Sequence, residues 1–254
     1  NKMSPSRGYK LPTAQSENKA YFVFNHMLNR LDSSVKKLKP KISGESTWSD
    51  YTNTHSYTDQ AFQKKVAFIR KVAADSQGNI VLDVGCNDGF FSKIFLENGA
   101  SVIAIDGDPM VVDRLWQETR EQGLDIIPLV QNISSPSPGM GWRNFEKPSF
   151  LNRVCGIPHT AIFLAVIHHM MVTDGVPLDE IIDLIADLVM SEAVIEFIPT
   201  NDIMFQRICR GRESLYTWYN KEVFEASCKR RFKIIEECSL VPSSRQLYRL
   251  RRVN

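Results

Sequence analysis

No apolar run in this 254-residue chain approaches the ~18 residues of a membrane-spanning helix. No signal peptide is visible at its amino end. The chain also lacks any C-x-x-C pair. Its five cysteines, Cys86, Cys155, Cys209, Cys228 and Cys238, are odd in number and widely spaced. That argues against a disulfide framework or a zinc site and for reduced thiols in a cytoplasmic setting. A strong charge of either sign is missing too: 31 Lys and Arg against 29 Asp and Glu leave a net charge of +2. Nothing of that size draws a chain to nucleic acid or to a membrane surface. The short basic runs 36–41, 229–231 and 249–252 read as solvated faces or tails. Repeats and low-complexity tracts are absent as well.

What is present is an alternation of strand and helix signals from Ile80 onward, the pattern of a parallel sheet covered by helices. Strands are expected at 80–84, 102–105, 126–130, 161–167 and 193–198. Helices are expected at 90–97, 109–121, from Pro177 through Leu188, at 202–210 and at 221–231. A closing antiparallel hairpin is expected at 232–238 and 246–250. Upstream, 17–39 and 59–74 have helical periodicity, with Phe62, Val66 and Ile69 on the apolar face of the second helix and Lys64, Lys65, Arg70 and Lys71 opposite. An aromatic-rich loop between them carries Trp48, Tyr51, His55 and Tyr57. The expected organisation is an arm, two helices and a lid loop over 1–78, followed by a ligand-binding domain over 79–254. Together these make an α/β, Rossmann-like, seven-stranded, mostly parallel sheet with helices on both faces and an N-terminal helical lid.

The chemistry concentrates in Val81-Leu-Asp-Val-Gly85-Cys-Asn-Asp-Gly89-Phe90 and Val102-Ile-Ala-Ile-Asp106. A buried strand, a glycine turn, a helix start and a second strand ending in an acid hold a nucleoside at the carboxyl ends of the strands. Gly85 and Gly89 let the backbone turn sharply near a ligand. Asp106, followed by Gly107, stands where a carboxylate accepts hydrogen bonds from both ribose hydroxyls. The turn is G-x-x-x-G, not G-x-G-x-x-G, so Cys86 and Asn87 occupy the place where a dinucleotide site needs a bare backbone against its pyrophosphate. Asp83 and Asp88 add negative charge, which repels a pyrophosphate and attracts a sulfonium and an α-amino group. These residues resemble motif I of the class I S-adenosylmethionine (SAM)-dependent methyltransferases.

That resemblance implies SAM as cofactor and gives the later strand ends their roles. Asn132 and Ile133, after strand three, suit the adenine edge and ring, or else form a plain turn. Ala165 lies at the end of strand four, just before His168 and His169. The amine-gripping Asn/Asp-Pro-Pro-aromatic sequence of the nucleic-acid amino-methyltransferases is absent there, which disfavours a nucleic-acid acceptor. His168 and His169 are expected to diverge as neighbours leaving a strand, so that one faces the cleft as a general base and the other packs. Glu196, in an apolar strand, either orients substrate or a histidine, serves as a base, or is paired at the rim. Tyr57 either contacts the cofactor or is a core aromatic. No metal site is expected.

The segments 136–144, His168-His169, 194–199 and 212–216 resemble a group of bacterial nodulation-type methyltransferases over most of residues 43–254. Members of that group are longer at the amino end, which leaves room for an upstream domain in a longer chain. The expected activity is methyl transfer to a small or medium-sized acceptor, at oxygen. Two rivals stand beside it: an RNA- or protein-directed methyltransferase, and a non-catalytic SAM-binding module.

Overall fold

A computed structural model of the chain describes residues 17–37 and 58–253. Helix α1 (Glu17–Lys37) belongs to one compact unit, Asn1–Gly44, and every other described element to a second, Glu45–Asn254. The apolar residues of α1 recur at helical spacing, and Phe24, Met27, Leu28, Leu31 and Val35 are exposed. The Trp48–Tyr57 loop, with the cofactor-contact expectation for Tyr57, lies outside the described residues.

The second unit opens with α2 (Asp59–Ala74), capped by the Thr58 hydroxyl accepting from the Ala61 N–H. It then alternates as expected: β1 (Ile80–Val84), α3 (Phe90–Glu97), β2 (Ser101–Asp106), α4 (Pro109–Gln122), β3 (Ile126–Val130), α5 (Phe150–Val154), β4 (Thr160–Phe163), α6 (Ile167–Val172), α7 (Leu178–Leu188), β5 (Glu192–Phe197), α8 (Ile203–Cys209), α9 (Lys221–Lys229), β6 (Phe232–Ser239) and β7 (Gln246–Arg252). The strands form one seven-stranded sheet in the order β3-β2-β1-β4-β5-β7-β6. Strands β1 to β5 run parallel, and β7 enters antiparallel between β5 and β6.

Two apolar layers hold the sheet. On one face Leu82, Val84, Ala161, Phe163 and Ile195 pack with Ile181, Ile182 and Ile185 of α7. On the other, Val81, Ala104, Ile162 and Val194 pack with Phe68, Ile69 and Val72 of α2 and with Ile94 and Phe95 of α3. Each fully buried Ile, Leu or Phe stabilises by about 1.5–3 kcal/mol.

Three expectations are corrected. Helix α2, grouped by sequence with a lid, is packed wall: Ala61, Phe68, Ile69, Val72 and Ala73 are buried. Lys65, assigned to its solvated face, is only 3% exposed and meets Glu196 at 2.7 Å. The reason is that the carboxylate inside β5 needs a counter-charge where water cannot reach. Strand β4 stops at Phe163, not at 167, because Ala165 adopts a left-handed backbone (φ 58°) and the chain turns into α6.

Candidate functional site

Strand order reverses between β1 and β4, which leaves a crevice beyond their carboxyl ends. Two turns meet there. The turn after β1 is fixed by Gly85 and Cys86, whose N–H groups both donate to the Ile105 carbonyl, at 2.8 and 3.0 Å. Gly85 has φ 73°, and a Cβ on it would stand 2.6 Å from the Val166 side chain of the turn after β4. Glycine is therefore needed both for backbone sign and for the close approach. Gly89 has φ 75° and packs against Leu115 in the same way. Asn87 and Ala165 are left-handed without being glycine, so strained backbone sits at both turns.

Asp106 closes the crevice from β2. Its Oδ2 accepts from the Asn87 N–H at 3.0 Å and its Oδ1 from the Asp108 N–H at 2.9 Å. A carboxylate oxygen has a second lone pair, so each remains able to accept from a hydroxyl. Burial raises its pKa, opposed by those backbone hydrogen bonds.

Two recesses share Gly85, Asp106, Val166 and His169. The first, about 230 Å³, is lined further by Gly107, Gln131, Asn132, Ile133, Met170, Thr173 and Asp174. It offers an apolar floor and a polar edge, although the Asn132 carboxamide oxygen already accepts from the Ser134 N–H. The second, about 200 Å³, is lined further by Asn87, Leu164, Ala165, His168, Met204 and Arg245.

The structure thus gathers Gly85, Asn87, Asp106, Gly107, Asn132, Ile133, Ala165, His168 and His169 around one crevice. Four expected residues stand behind it. Asp83 is buried and accepts from the Ser92 hydroxyl at 2.6 Å; desolvation pushes its pKa up to about 7. Asp88 caps the start of α3, accepting from the Phe90 N–H. The Cys86 thiol is buried and pushed up in pKa by desolvation. Gly89 is the cap residue of the same helix.

The histidines depart from expectation. They lie in helix α6, where neighbours are about 100° apart rather than opposed. Their rings stand 4.2 Å apart and both line the second recess. His168 is 1% exposed and its Nδ1 has no hydrogen-bond partner. Burial, with His169, Arg245 and Lys65 nearby, holds its pKa well below the ordinary histidine value, so the ring is neutral. Burial also lowers His169, opposed by Asp174.

Glu196 is fully buried and does not line the crevice. It meets Lys65 at 2.7 Å and the Arg245 Nη1 at 3.8 Å. Arg245 in turn donates to Asp202 through Nε at 2.7 Å and Nη2 at 3.0 Å. Glu196 thus stands behind Arg245, a residue that lines the recess, and is paired rather than placed in the recess itself. Arg245 and Met204 were missed from sequence. Arg245 follows Pro242-Ser-Ser in a hairpin turn, where an arginine carries no signal. Among the described residues no three His, Cys, Asp or Glu side chains are grouped to hold a metal ion.

The arrangement fits a nucleoside with a sulfonium-bearing side chain: an acid for ribose hydroxyls, a half-apolar recess for a base, and a turn without a phosphate cradle. Residues 82–137 match the family model described as a methyltransferase domain. The chain is 30% identical over 230 residues, 90% of its length, to "Nodulation protein NoeA" of Rhizobium meliloti (strain 1021). It is 32% identical over 101 residues, 39% of its length, to "Ribosomal protein L11 methyltransferase" of Thermotoga maritima. It spans 48% and 34% of the lengths of these relatives. The N-methyltransferase NodS from Bradyrhizobium japonicum WM9 shares the fold, with TM-score 0.55 at 13% identity, over 77% of this chain and 98% of that one. So does magnesium protoporphyrin IX methyltransferase from Synechocystis PCC 6803 with bound S-adenosylhomocysteine (SAH), with TM-score 0.54 at 16% identity, over 92% and 99%.

Proposed function

We propose that the chain carries a class I SAM-dependent methyltransferase domain with SAM as its cofactor, and that this domain transfers a methyl group to an oxygen of a small or medium-sized acceptor. The observation that carries the reading is the pair of recesses joined at Gly85, Asp106, Val166 and His169. One recess has the lining of a nucleoside site and the other that of a polar acceptor site. The cofactor supplies an electrophilic methyl group. The protein's part is alignment and exclusion of water, which in-line displacement rewards. Asp106 would hold the ribose; Asn132, Ile133 and Met170 would bracket the base. His168 and His169 would touch the acceptor oxygen; an acceptor that arrives protonated would pass its proton to His169, the less buried of the two, and an ionised one needs no base.

A small-molecule acceptor is favoured over nucleic acid by the near-zero net charge and the missing amine-gripping sequence. Reduced, unpaired cysteines support a cytoplasmic setting. The test is transfer of labelled methyl from SAM into a small-molecule extract, with an Asp106→Ala control. Label appearing in low-mass products with wild type alone supports the proposal. Label appearing only in RNA or protein favours that rival, and firm SAH binding with no labelled product favours a non-catalytic module.

A further inference from the structure

The second recess has an unusual set of polar walls. Apart from Asp106, which the ribose claims, every ionisable or amide side chain lining it is nitrogen-bearing at its free end or carries an amide: Asn87, His168, His169 and Arg245. Among the described residues no second carboxylate lines it. Arg245 is 2% exposed, yet its guanidinium is spread in a fixed plane by Asp202, which engages Nε and Nη2. Glu196, locked to Lys65, stands 3.8 Å from Nη1. Two cations and two anions therefore close a charge-balanced frame behind the recess. Balanced frames are costly to bury, and hydrophobic replacements of similar volume are often neutral or better for stability. This frame fixes Arg245, a residue of the recess wall, near enough to His168 to act on its charge, and the His168 Nδ1 is buried and unpartnered.

Resting on the methyltransferase reading, we propose that this recess binds an ionised acceptor oxygen, a carboxylate or a phosphate, with Arg245 as the specificity-determining residue and His168 donating from Nδ1. Asp202, Glu196 and Lys65 are positioning residues for that guanidinium. The chemistry closes without a base. A lone pair of the ionised oxygen forms the O–C bond as the C–S bond breaks, the C–S electron pair stays on sulfur, and no proton leaves. Anion and sulfonium are mutually attractive, and a nearby guanidinium charge favours an oxyanion over a neutral hydroxyl.

The test uses the SAH-loaded full chain, titrated with benzoate, inorganic phosphate and benzyl alcohol, while the ring-proton resonances of His168 and His169 are followed. Saturable shifts with benzoate or phosphate, and none with benzyl alcohol at equal concentration, are expected; which anion binds tells carboxylate from phosphate. The double variant Arg245→Gln/Asp202→Asn, which removes one charge of each sign, should weaken the anion by about tenfold or more while SAH affinity stays within about threefold. Three results overturn the proposal. One is equal binding of benzyl alcohol. The second is no binding of either anion up to about 50 mM. The third is loss of SAH affinity in the double variant with methylthioadenosine unaffected, which would place Arg245 on the cofactor's own carboxylate. If SAH fails to bind wild type at all, the methyltransferase reading falls, while the same anion titration on ligand-free protein still decides the role of Arg245.

Discussion

At the nucleoside end of the crevice the hydrogen bonds that fix the turn come from one stretch, residues 85–108, and largely from backbone: the N–H groups of Gly85 and Cys86 on the Ile105 carbonyl and those of Asn87 and Asp108 on a single carboxylate. At the acceptor end they come from α2, β5, α6, the start of α8 and the turn before β7, and entirely from side chains. The first is a local device that any chain with the right turn can build. The second exists only after the whole sheet has closed. A change at the acceptor end should therefore register as stability lost, and a change at the nucleoside end as ligand lost.

The largest effect expected of that contrast is at Glu196. Glu196→Ala takes the carboxylate from the buried Lys65 while Arg245 keeps its Asp202 pair, and should cost about 3–5 kcal/mol in chemical denaturation. SAH affinity of the folded fraction should be unchanged. A variant that folds as well as wild type and loses only turnover would make Glu196 a base after all and erase the contrast.

Next comes Asp106→Ala. It removes two charge-assisted acceptors from the ribose and releases the Asn87 and Asp108 N–H groups, so SAM and SAH should weaken by about 2–4 kcal/mol by calorimetry. Global stability should move much less. Unaltered SAH affinity would mean that the acid serves only the turn.

Asp83 belongs to neither end, and its response sharpens the boundary. Its folded pKa, raised to about 7, lies above the ordinary carboxylate value. The folded state therefore holds its proton where the unfolded state has lost it. Stability from this group is full at low pH and declines between about pH 4 and 7, remaining reduced above. Asp83→Asn keeps a hydrogen-bonding group for Ser92 and should gain about 1–3 kcal/mol at pH 8 relative to wild type, with little gain near pH 4. SAM affinity should stay within a few-fold. Thermal melts at both pH values read this directly, and a loss of SAM affinity instead would put Asp83 in the ligand site.

The same contrast governs what could be read from the sequence. The β1–turn–α3 segment is legible to the residue and β2 to within one residue at each end, because hydrophobic runs, glycine spacing and a terminal acid are local signals. The antiparallel β6–β7 hairpin was legible for the same reason. The histidines stand out in the sequence but their helix does not: Ile167 continues an apolar run, and only the left-handed Ala165 shows that the strand has ended. The helical pattern puts Lys65 opposite the apolar face because it cannot show a carboxylate 131 residues away. Arg245 gave no signal at all, since its value comes from Asp202 and Glu196, which reach it only across β5 and α8.

The smallest expected effect is with nucleic acid. With balanced charge, any RNA or DNA binding should be weak and lost by about 200 mM salt. Retention of tRNA at that salt would promote the RNA-directed rival and recast the second recess as part of a larger surface.

The central claim is that the turn and Asp106 form a SAM site and not a dinucleotide site. Calorimetric titration of wild-type protein with SAM, SAH and NAD, under one buffer and temperature, tests it most directly. The account predicts saturable binding of SAM and SAH and no detectable heat of binding from NAD, because Cys86 and Asn87 stand where a pyrophosphate would need bare backbone. NAD binding as tightly as SAM would contradict it.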